Sequence, residues 1–573
     1  MMAVGGGLRA AGEIAAGGGP RAADGMAAGR GLRAAGRVWL WLLVAALPVY
    51  FLVLGANSIW DANEAFYVDT PRHMVETGDY VTPYFNGLER LNKPVLSYWI
   101  VAGLYRAFGV SVGVERIGIA IGAMGIVLAA GLLGRALGTR RTAWLAALAV
   151  ATAPRVAMFA RRIAIDIWIT AFMALTLACF AMAERFPRHR RTWLIAMYVA
   201  MGLGVLTKGP IAVVFPALTC AIWMTVERRW RDLGRLMLVP GTLIVLAIVV
   251  PWYVALYQAH GWGPITQFFI GENVGRYTGE MPSEGRGILF YLPVLFGDLF
   301  PWAPLLLVPI VRAWRPAGPG ESASDASIRR LLWIWIVTIT AVFSLSQSKQ
   351  DLYIFPVVPA VAALVAHAML AHLATPDRWL GLLVIGVGVL AAVLGAAAFW
   401  LFGSGYYQLA GIGVMAVVCV AGGLATAVCE WQGHRRRAVV VLAVTFIAFN
   451  YLFVTVILPS VERLKPAVPL AAEIRQRAGD DGHVGAYHLM FPSLVYYVGR
   501  PIHEIAGPDE AGAFFAPDRA AWVIMGDESF RNLSATIPGL CEVTRRPLFE
   551  AKLSDLLSRQ PPADVLLISN QCR

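Results

Sequence analysis

Three carboxylates at the ends of apolar runs have the type and position to do chemistry. Asp61 and Glu64 follow the first apolar run, in a polar loop of about 57–111 that is too long for a simple connector. Asp166 lies between two isoleucines where a later apolar run begins. An ionisable group at a membrane edge is costly unless it has a partner or a function. Arg161 or Arg162 could give Asp166 a purely structural partner, so both interpretations of that carboxylate stay open.

A second set of polar residues lies in turns on the same predicted side of the runs: Lys93, Lys208, Arg276, Lys349 and Tyr353. Each cation alone is most simply a side chain that extends to lipid phosphates. Convergent lysine, arginine and tyrosine donors are also what a buried phosphate group requires. The set therefore predicts a phosphate site built from widely separated turns.

The composition shows which elements must position these residues. Of 573 residues, 58% are hydrophobic and 15% are charged, whereas a soluble domain has about 45–50% and 25%. The mean hydropathy is +0.63. The chain is therefore an integral membrane protein, and its net charge of +12 indicates topology rather than a nucleic-acid partner.

The apolar runs predict about thirteen membrane spans, each near the length that a bilayer demands: 38–56, 113–134, 142–159, 164–183, 192–207, 209–226, 236–257, 288–311, 331–346, 352–373, 379–402, 408–429 and 438–458. Every second loop is rich in arginine, which predicts that those loops are cytoplasmic. The N-terminus is then cytoplasmic and the C-terminal tail lies outside. The apolar stretch Pro94–Phe108 is too short to span and is interpreted as an interfacial helix.

The chain divides into three predicted parts. Residues 1–37 are rich in Gly, Ala and Arg and are interpreted as a disordered leader, while a cleaved signal peptide at the first run is the alternative. Residues 38–459 form the membrane domain. Residues 460–573 are polar, and β-like runs at His483–Leu489, Trp522–Gly526 and Asp564–Ser569 alternate with helical ones, which predicts a small external α/β domain. In an oxidising compartment Cys541 and Cys572 could form a disulfide, and two free thiols are the alternative.

The first loop resembles that of the bacterial aminoarabinose transferases, relatives of the protein O-mannosyltransferases within the C-type glycosyltransferase superfamily. The resemblance lies in NEAFYVDTPRHMVETGDYVTPYFNGLERLNKPVLSYW from Asn63, followed by LTKGP, ENVGRY and KQDLYIFP. It covers about 38–460 and implies the thirteen-span plan with an external tail. It also implies inverting transfer of a sugar from an undecaprenyl monophosphate carrier, at the periplasmic face of the inner membrane, to lipid A, another glycan or a protein.

Residue by residue, the resemblance implies that Lys93, Lys208, Arg276 and Tyr353 contact the carrier phosphate and that Asp166 is the second-loop aspartate. The sequence departs from the family at Asn63, where an aspartate is usual. An amide cannot act as a general base. Either Asp61, Glu64 or Asp166 takes that role, or a phosphate acceptor, already anionic, attacks without a base.

Two matters stay open at this level. Asn63 could instead orient a ligand or a metal-bound water, and some members of the superfamily use a divalent metal, for which the sequence shows no strong ligand cage. A lipid-linked sugar flippase or transporter would also explain the spans and edge charges, although the chain lacks the repeated halves common in transporters. A surface-glycan polymerase or ligase that uses a diphosphate-linked donor is the third interpretation.

Overall fold

The computed structural model describes residues 37–61, 63–162, 164–275, 285–312, 322–479, 482–548 and 553–572. The helices before the tail are α1 Arg37–Phe51, α2 Asn63–Thr77, α3 Leu96–Phe108, α4 Val112–Leu137, α5 Arg140–Thr152, α6 Pro154–Phe159, α7 Ala164–Arg185, α8 Arg190–Lys208, α9 Ile211–Val226, α10 Leu238–His260, α11 Gly263–Thr266, α12 Tyr291–Asp298, α13 Leu307–Arg312, α14 Ala323–Leu345, α15 Val358–Ala374, α16 Arg378–Phe402, α17 Ile412–Trp431 and α18 Arg435–Leu452. A π-helical turn, Gln267–Val274, continues α11, and a 3-10 turn, Asp351–Val357, precedes α15.

The predicted membrane architecture is confirmed as a polytopic helical fold. Within the described ranges, eight helices are long and apolar enough to cross a bilayer, and a bent pair would make nine. Each predicted run coincides with helix, but the count of about thirteen crossings stays a prediction because several of these helices are short or polar. The run 288–311 is not the single straight span that was predicted. Its two halves, Ile288–Asp298 and Ala303–Arg312, are bent by 114° relative to each other.

Close helix contacts within the bundle depend on glycine. A Cβ added to Gly388 of α16 would lie 2.5 Å from the carbonyl oxygen of Gly423 on α17. Small residues of this kind let two backbones approach, which in lipid replaces the hydrophobic force that drives packing in water. Any larger side chain at Gly388 would therefore push α16 and α17 apart.

The first loop is an ordered structure between α1 and α4. It contains α2, a short antiparallel hairpin of β1 Tyr84–Phe85 and β2 Leu88–Glu89, and α3. The stretch predicted as an interfacial helix is indeed helical, over Leu96–Phe108. Its Tyr98 and Tyr105 are buried, and the indole of Trp99 donates to the Tyr80 carbonyl oxygen at 2.8 Å, so α3 packs onto the loop it belongs to.

The tail is the small α/β domain that the sequence predicts. A mixed five-stranded sheet has the order β4-β3-β5-β7-β6, with β3 His483–Tyr487, β4 His503–Ile505, β5 Ala521–Gly526, β6 Cys541–Pro547 and β7 Asp564–Ser569. The helices are α19 Ala467–Ala478, α20 Pro492–Val498, α21 Pro508–Phe514, α22 Asp527–Ser534 and α23 Leu553–Ser558. The sheet has a separate apolar core on each face. Cys541 and Cys572 form a disulfide, which ties β6 to the end of the chain.

Candidate functional site

A cavity of about 110 Å³ brings together four of the residues predicted from sequence, Lys93, Asp166, Lys208 and Tyr353. They come from the first loop, the start of α7, the end of α8 and the turn before α15. Glu272, from the π-helical turn, also lines the cavity. Side chains more than a hundred positions apart in the sequence therefore share one polar space.

Lys208 is fixed by the way its helix ends. It is the last residue of α8, and Gly209 follows with φ of +91°, a conformation that suits glycine. A Cβ at Gly209 would meet the ring of Phe268 at 2.6 Å, so any other residue here would be strained and would displace that ring. The Lys208 ammonium then forms an ion pair with Asp166 and lies 5.4 Å from the centre of the Tyr353 ring.

Asp166 lies in the first turn of α7, where the helix dipole favours a negative charge. Its side chain is 12% exposed, and its partner in the structure is Lys208. Arg161, which the sequence offered as a structural partner, instead donates to the carbonyl oxygens of Val49 and Leu52 at 2.6 Å each.

Lys93 reaches the cavity from the first loop, a few residues after the β1–β2 hairpin. Its ammonium bonds to a Glu272 carboxylate oxygen at 2.7 Å and to the carbonyl oxygen of Asn92 at 2.8 Å. Glu272 is presented by a π-helical turn, a local geometry found frequently at functional sites. Sequence reasoning did not single out Glu272, although it begins the ENVGRY motif.

Apart from Ser346, the rest of the cavity wall is apolar: Ile169, Met173, Ile211, Phe215, Phe268, Phe343, Leu352 and Pro356. Two ammonium groups, each paired with a carboxylate, thus lie beside a large hydrocarbon-like surface. Such a combination suits a ligand that carries an anionic group on an apolar chain.

The structure does not place the other two predicted phosphate ligands, Lys349 and Arg276, in the cavity wall. Lys349 is not among the lining residues, and its ammonium donates to the carbonyl oxygen of Ser346 at 2.6 Å, a residue that does line the cavity. Arg276 lies outside the described residues.

The turn that carries Lys349 and Tyr353 is held from behind by a charge network. Arg155 forms ion pairs with Asp351 and, at 2.9 Å, with the buried Asp298. The Tyr291 hydroxyl donates to the Gln350 carbonyl oxygen at 3.0 Å. These contacts fix the backbone on which the Tyr353 ring stands.

Asp61, Asn63 and Glu64 do not line this cavity. Glu64 is fully buried and pairs with Arg116, at 2.6 Å from its Nε and 3.1 Å from its Nη2. The Asp61 carboxylate accepts hydrogen bonds of 2.6 Å from the backbone and the hydroxyl of Ser493, at the start of α20. Asn63 is exposed at the start of α2.

Lys465 lies near Asp61 and Glu64, at the connection between the membrane domain and the tail. Its ammonium donates to the Ser58 carbonyl oxygen at 2.6 Å and lies 4.3 Å from the Trp60 ring centre. The side chain is 9% exposed, and burial lowers the pKa of Lys465 to about 8.

Within the described ranges, no group of three or more His, Cys, Asp or Glu side chains is arranged to hold a metal ion. Whether the protein uses a divalent metal therefore remains an open question, as it was from the sequence.

Comparisons with known proteins agree with this architecture. The sequence model of the dolichyl-phosphate-mannose-protein mannosyltransferase family matches residues 37–261. The undecaprenyl phosphate-alpha-4-amino-4-deoxy-L-arabinose arabinosyl transferase of Pseudomonas aeruginosa (strain UCBPP-PA14) is 31% identical over 409 residues, which cover 69% of this chain and 72% of that protein. The structure of ArnT from Cupriavidus metallidurans bound to undecaprenyl phosphate has a TM-score of 0.76 at 23% identity, covering 93% of this chain and 98% of that one.

The fold and these similarities define a membrane glycosyltransferase with the C-type fold, as the sequence predicted. More narrowly, the chain belongs to the family of bacterial undecaprenyl phosphate-aminoarabinose arabinosyl transferases.

Proposed function

We propose that this enzyme transfers a sugar from an undecaprenyl monophosphate carrier to a lipid A-type acceptor at the periplasmic face of the inner membrane, and that the Lys93–Lys208 cavity holds the carrier phosphate. One observation carries the proposal: two lysines from separate parts of the chain, each beside a carboxylate, reach a single cavity that also has a large apolar wall. The relatives are named for the same carrier.

The two ion pairs at the cavity support phosphate binding. A lysine ammonium has three donor hydrogens, so Lys93 and Lys208 can each keep the carboxylate partner and still donate to a phosphate oxygen. Glu272 and Asp166 then hold the ammonium groups in place before the donor arrives. A site arranged in advance spends less binding energy on ordering side chains.

The reaction we propose is a single in-line displacement. An acceptor oxygen forms a bond to the anomeric carbon while the bond between that carbon and the carrier phosphate oxygen breaks, and the electron pair stays on the departing phosphate. Lys93 and Lys208 stabilise that growing negative charge. A phosphate acceptor, already anionic, needs no base. A hydroxyl acceptor would pass its proton to Asp166, a carboxylate at the cavity.

The proposal assigns Asp61 and Glu64 to the architecture of the first loop. Each carboxylate is already engaged, Asp61 by Ser493 and Glu64 by Arg116. Asp61 joins the first loop to the tail and Glu64 joins it to α4, and neither lines the cavity. Their roles are then to hold that loop, and through it Lys93, in position.

The orientation is part of the proposal. Arginine in every second loop supports a cytoplasmic N-terminus and a periplasmic tail. The disulfide between Cys541 and Cys572 supports the same orientation, because such bonds persist in oxidising compartments.

The decisive experiment measures donor binding and transfer separately in the purified protein. Lys93→Gln and Lys208→Gln each remove a charged hydrogen bond worth about 1.5–3 kcal/mol, so donor affinity should fall by roughly ten- to a hundred-fold in each. The exposed Arg106 on α3 provides a matched control, since Arg106→Gln removes a cation of the same loop away from the cavity.

Donor affinity unchanged in both lysine variants would refute the assignment of the phosphate site. Mass spectrometry of lipid A from a deletion strain tests the acceptor, because a lost sugar substituent is expected there. Movement of the lipid-linked sugar across vesicle membranes without transfer would instead favour the flippase interpretation.

A further inference from the structure

We infer that the tail takes part in donor binding: it docks on residues 57–61, here named the docking strip, and thereby positions Lys93. The inference rests on the proposed role of Lys93 as a phosphate ligand. It adds two positioning residues in the tail, Glu462 and Tyr497, neither of which lines the cavity. Docking of the tail and binding of the carrier phosphate are then coupled, so that each strengthens the other.

The docking strip has an irregular backbone, and side chains bond to it from two sides. Buried N–H and C=O groups outside a helix or sheet need partners of another kind. On one side, Arg116 of α4 donates to the Ser58 carbonyl oxygen at 3.0 Å. On the other side, the Ser58 N–H donates to Glu462 Oε2 at 3.0 Å. The Ile59 N–H donates to the Tyr497 hydroxyl at 2.8 Å. Both N–H groups therefore depend on the tail for their acceptors.

The tail also packs on α2, the helix that follows the docking strip. Ile59, Ala65 and Val68 are fully buried and form a small apolar cluster. The rings of Tyr496 and Tyr497, from α20 of the tail, pack against this cluster. The tail thus covers one face of α2, and undocking would expose that apolar face to water.

Two rings on the opposite face of α2 support the chain on both sides of Lys93. The helical repeat of 3.6 residues places Phe66 and Tyr67 on the face away from the tail. The Arg90 guanidinium carbon, shortly before Lys93, lies 3.6 Å from the centre of the Phe66 ring. The ring of Tyr98 in α3, shortly after Lys93, stacks on that of Tyr67 with 5.1 Å between the ring centres. A shift of α2 would therefore move the segment that carries Lys93.

The first test follows amide hydrogen exchange in the purified full-length protein in mixed micelles, with and without undecaprenyl phosphate. Ser58 and Ile59 do not line the cavity, so a ligand that acted only on the cavity wall would leave their exchange unchanged. Coupling predicts that undecaprenyl phosphate slows the exchange of these two amides about five-fold or more. Amides of β6, at the far edge of the tail sheet, should not change. Equal exchange of the docking strip with and without the ligand would overturn the inference.

The second test measures the reverse effect, that of docking on donor affinity. Glu462→Ala/Tyr497→Phe removes both tail acceptors of the docking strip and should weaken the binding of undecaprenyl phosphate about five-fold or more. Restoring an acceptor at position 462, in Glu462→Gln/Tyr497→Phe, should recover part of this loss. Glu473→Ala removes a carboxylate of α19 that pairs only with Arg477 among the described residues, and should leave the affinity unchanged.

Lys93→Gln separates this inference from the proposed function. Weaker binding in Lys93→Gln, together with wild-type affinity in Glu462→Ala/Tyr497→Phe, would retain the phosphate site and overturn the role of the tail. Unchanged binding in Lys93→Gln would refute the phosphate site itself, and the inference with it. The exchange experiment uses the wild-type protein, so it decides the matter even if a variant does not fold.

Discussion

A substitution at Glu64 can test whether this carboxylate has a structural or a catalytic role. Its position in the sequence suggests catalysis, whereas its surroundings in the structure indicate a structural role. The sequence offers Glu64 as a base at the membrane edge. In the structure it is fully buried, with Arg116 only 3% exposed beside it. We therefore predict that Glu64→Gln lowers the stability of the fold and leaves the chemistry at the cavity intact, because Glu64 does not line that cavity.

The magnitude follows from the bonds of Arg116. Removing one partner of a buried ion pair costs about 3–5 kcal/mol because the other charge is left uncompensated. The Arg116 guanidinium keeps bonds of 2.8, 2.9 and 3.0 Å to the carbonyl oxygens of Leu54, Asn57 and Ser58. Glutamine can also still accept from the Trp60 backbone N–H, which bonds to Glu64 at 2.6 Å. We expect the lower end of the range, about 3 kcal/mol, or roughly a hundred-fold in the unfolding equilibrium.

The assay compares the free energy of unfolding in mixed micelles with the rate of a single turnover at a temperature where each variant is folded.

Glu115, the other buried carboxyl nearby, interacts electrostatically with Glu64 and could take over its charge. The double variant Glu64→Gln/Glu115→Gln closes that route. Asp166→Asn is the opposite control: its partner Lys208 is 18% exposed at a cavity, so we expect a smaller loss of stability than in Glu64→Gln together with loss of transfer to a hydroxyl acceptor. Wild-type stability together with lost turnover in Glu64→Gln would refute the reasoning and return Glu64 to the catalytic role.

Three further predictions concern the tail and its contact with the membrane domain. Asn86→Ala should loosen the tail by removing two hydrogen bonds with the Ile502 backbone, of 2.9 and 2.7 Å, and limited proteolysis of tail against membrane domain measures this. Reducing the disulfide, or Cys541→Ser, should destabilise the tail by about 3 kcal/mol, as its unfolding transition in reducing and oxidising buffer would show. The pKa of Lys465 is lowered on folding, to about 8, so the unfolded chain binds more protons above pH 8 and stability rises with pH there. The stability of wild type relative to Lys465→Met should therefore increase from pH 8 towards 10, and a flat difference would contradict it.

The sequence predicted the membrane architecture well for a physical reason. In lipid every backbone polar group must bond within its own element, so an apolar run of sufficient length has few alternatives to a helix. The tail strands at 483, 522 and 564 were predicted too, from short β-like runs, whereas β4 and β6 were not. β4 has three residues and β6 carries two arginines and a glutamate, so neither shows a clear apolar run.

The candidate site was predicted in part. Lys93, Asp166, Lys208 and Tyr353 meet at one cavity, as their placement in turns and at run ends on the same predicted side of the membrane suggested. Asp61 and Glu64 looked equally suitable in the sequence but lie elsewhere. Nothing local distinguishes them, because their partners Ser493 and Arg116 are 432 and 52 positions away.

The sequence by itself determined the helical class, the alternation of basic loops and the residue types available for binding a phosphate. These properties depend on local apolarity and charge, which act over the length of one helix or one loop. Only the tertiary structure decided which carboxylate faces which cation, that Lys208 takes Asp166 and Lys93 takes Glu272, and that Arg116 removes Glu64 from solvent. Ion pairing at these distances depends on how the helices pack, and that packing is set by contacts between residues far apart in the chain.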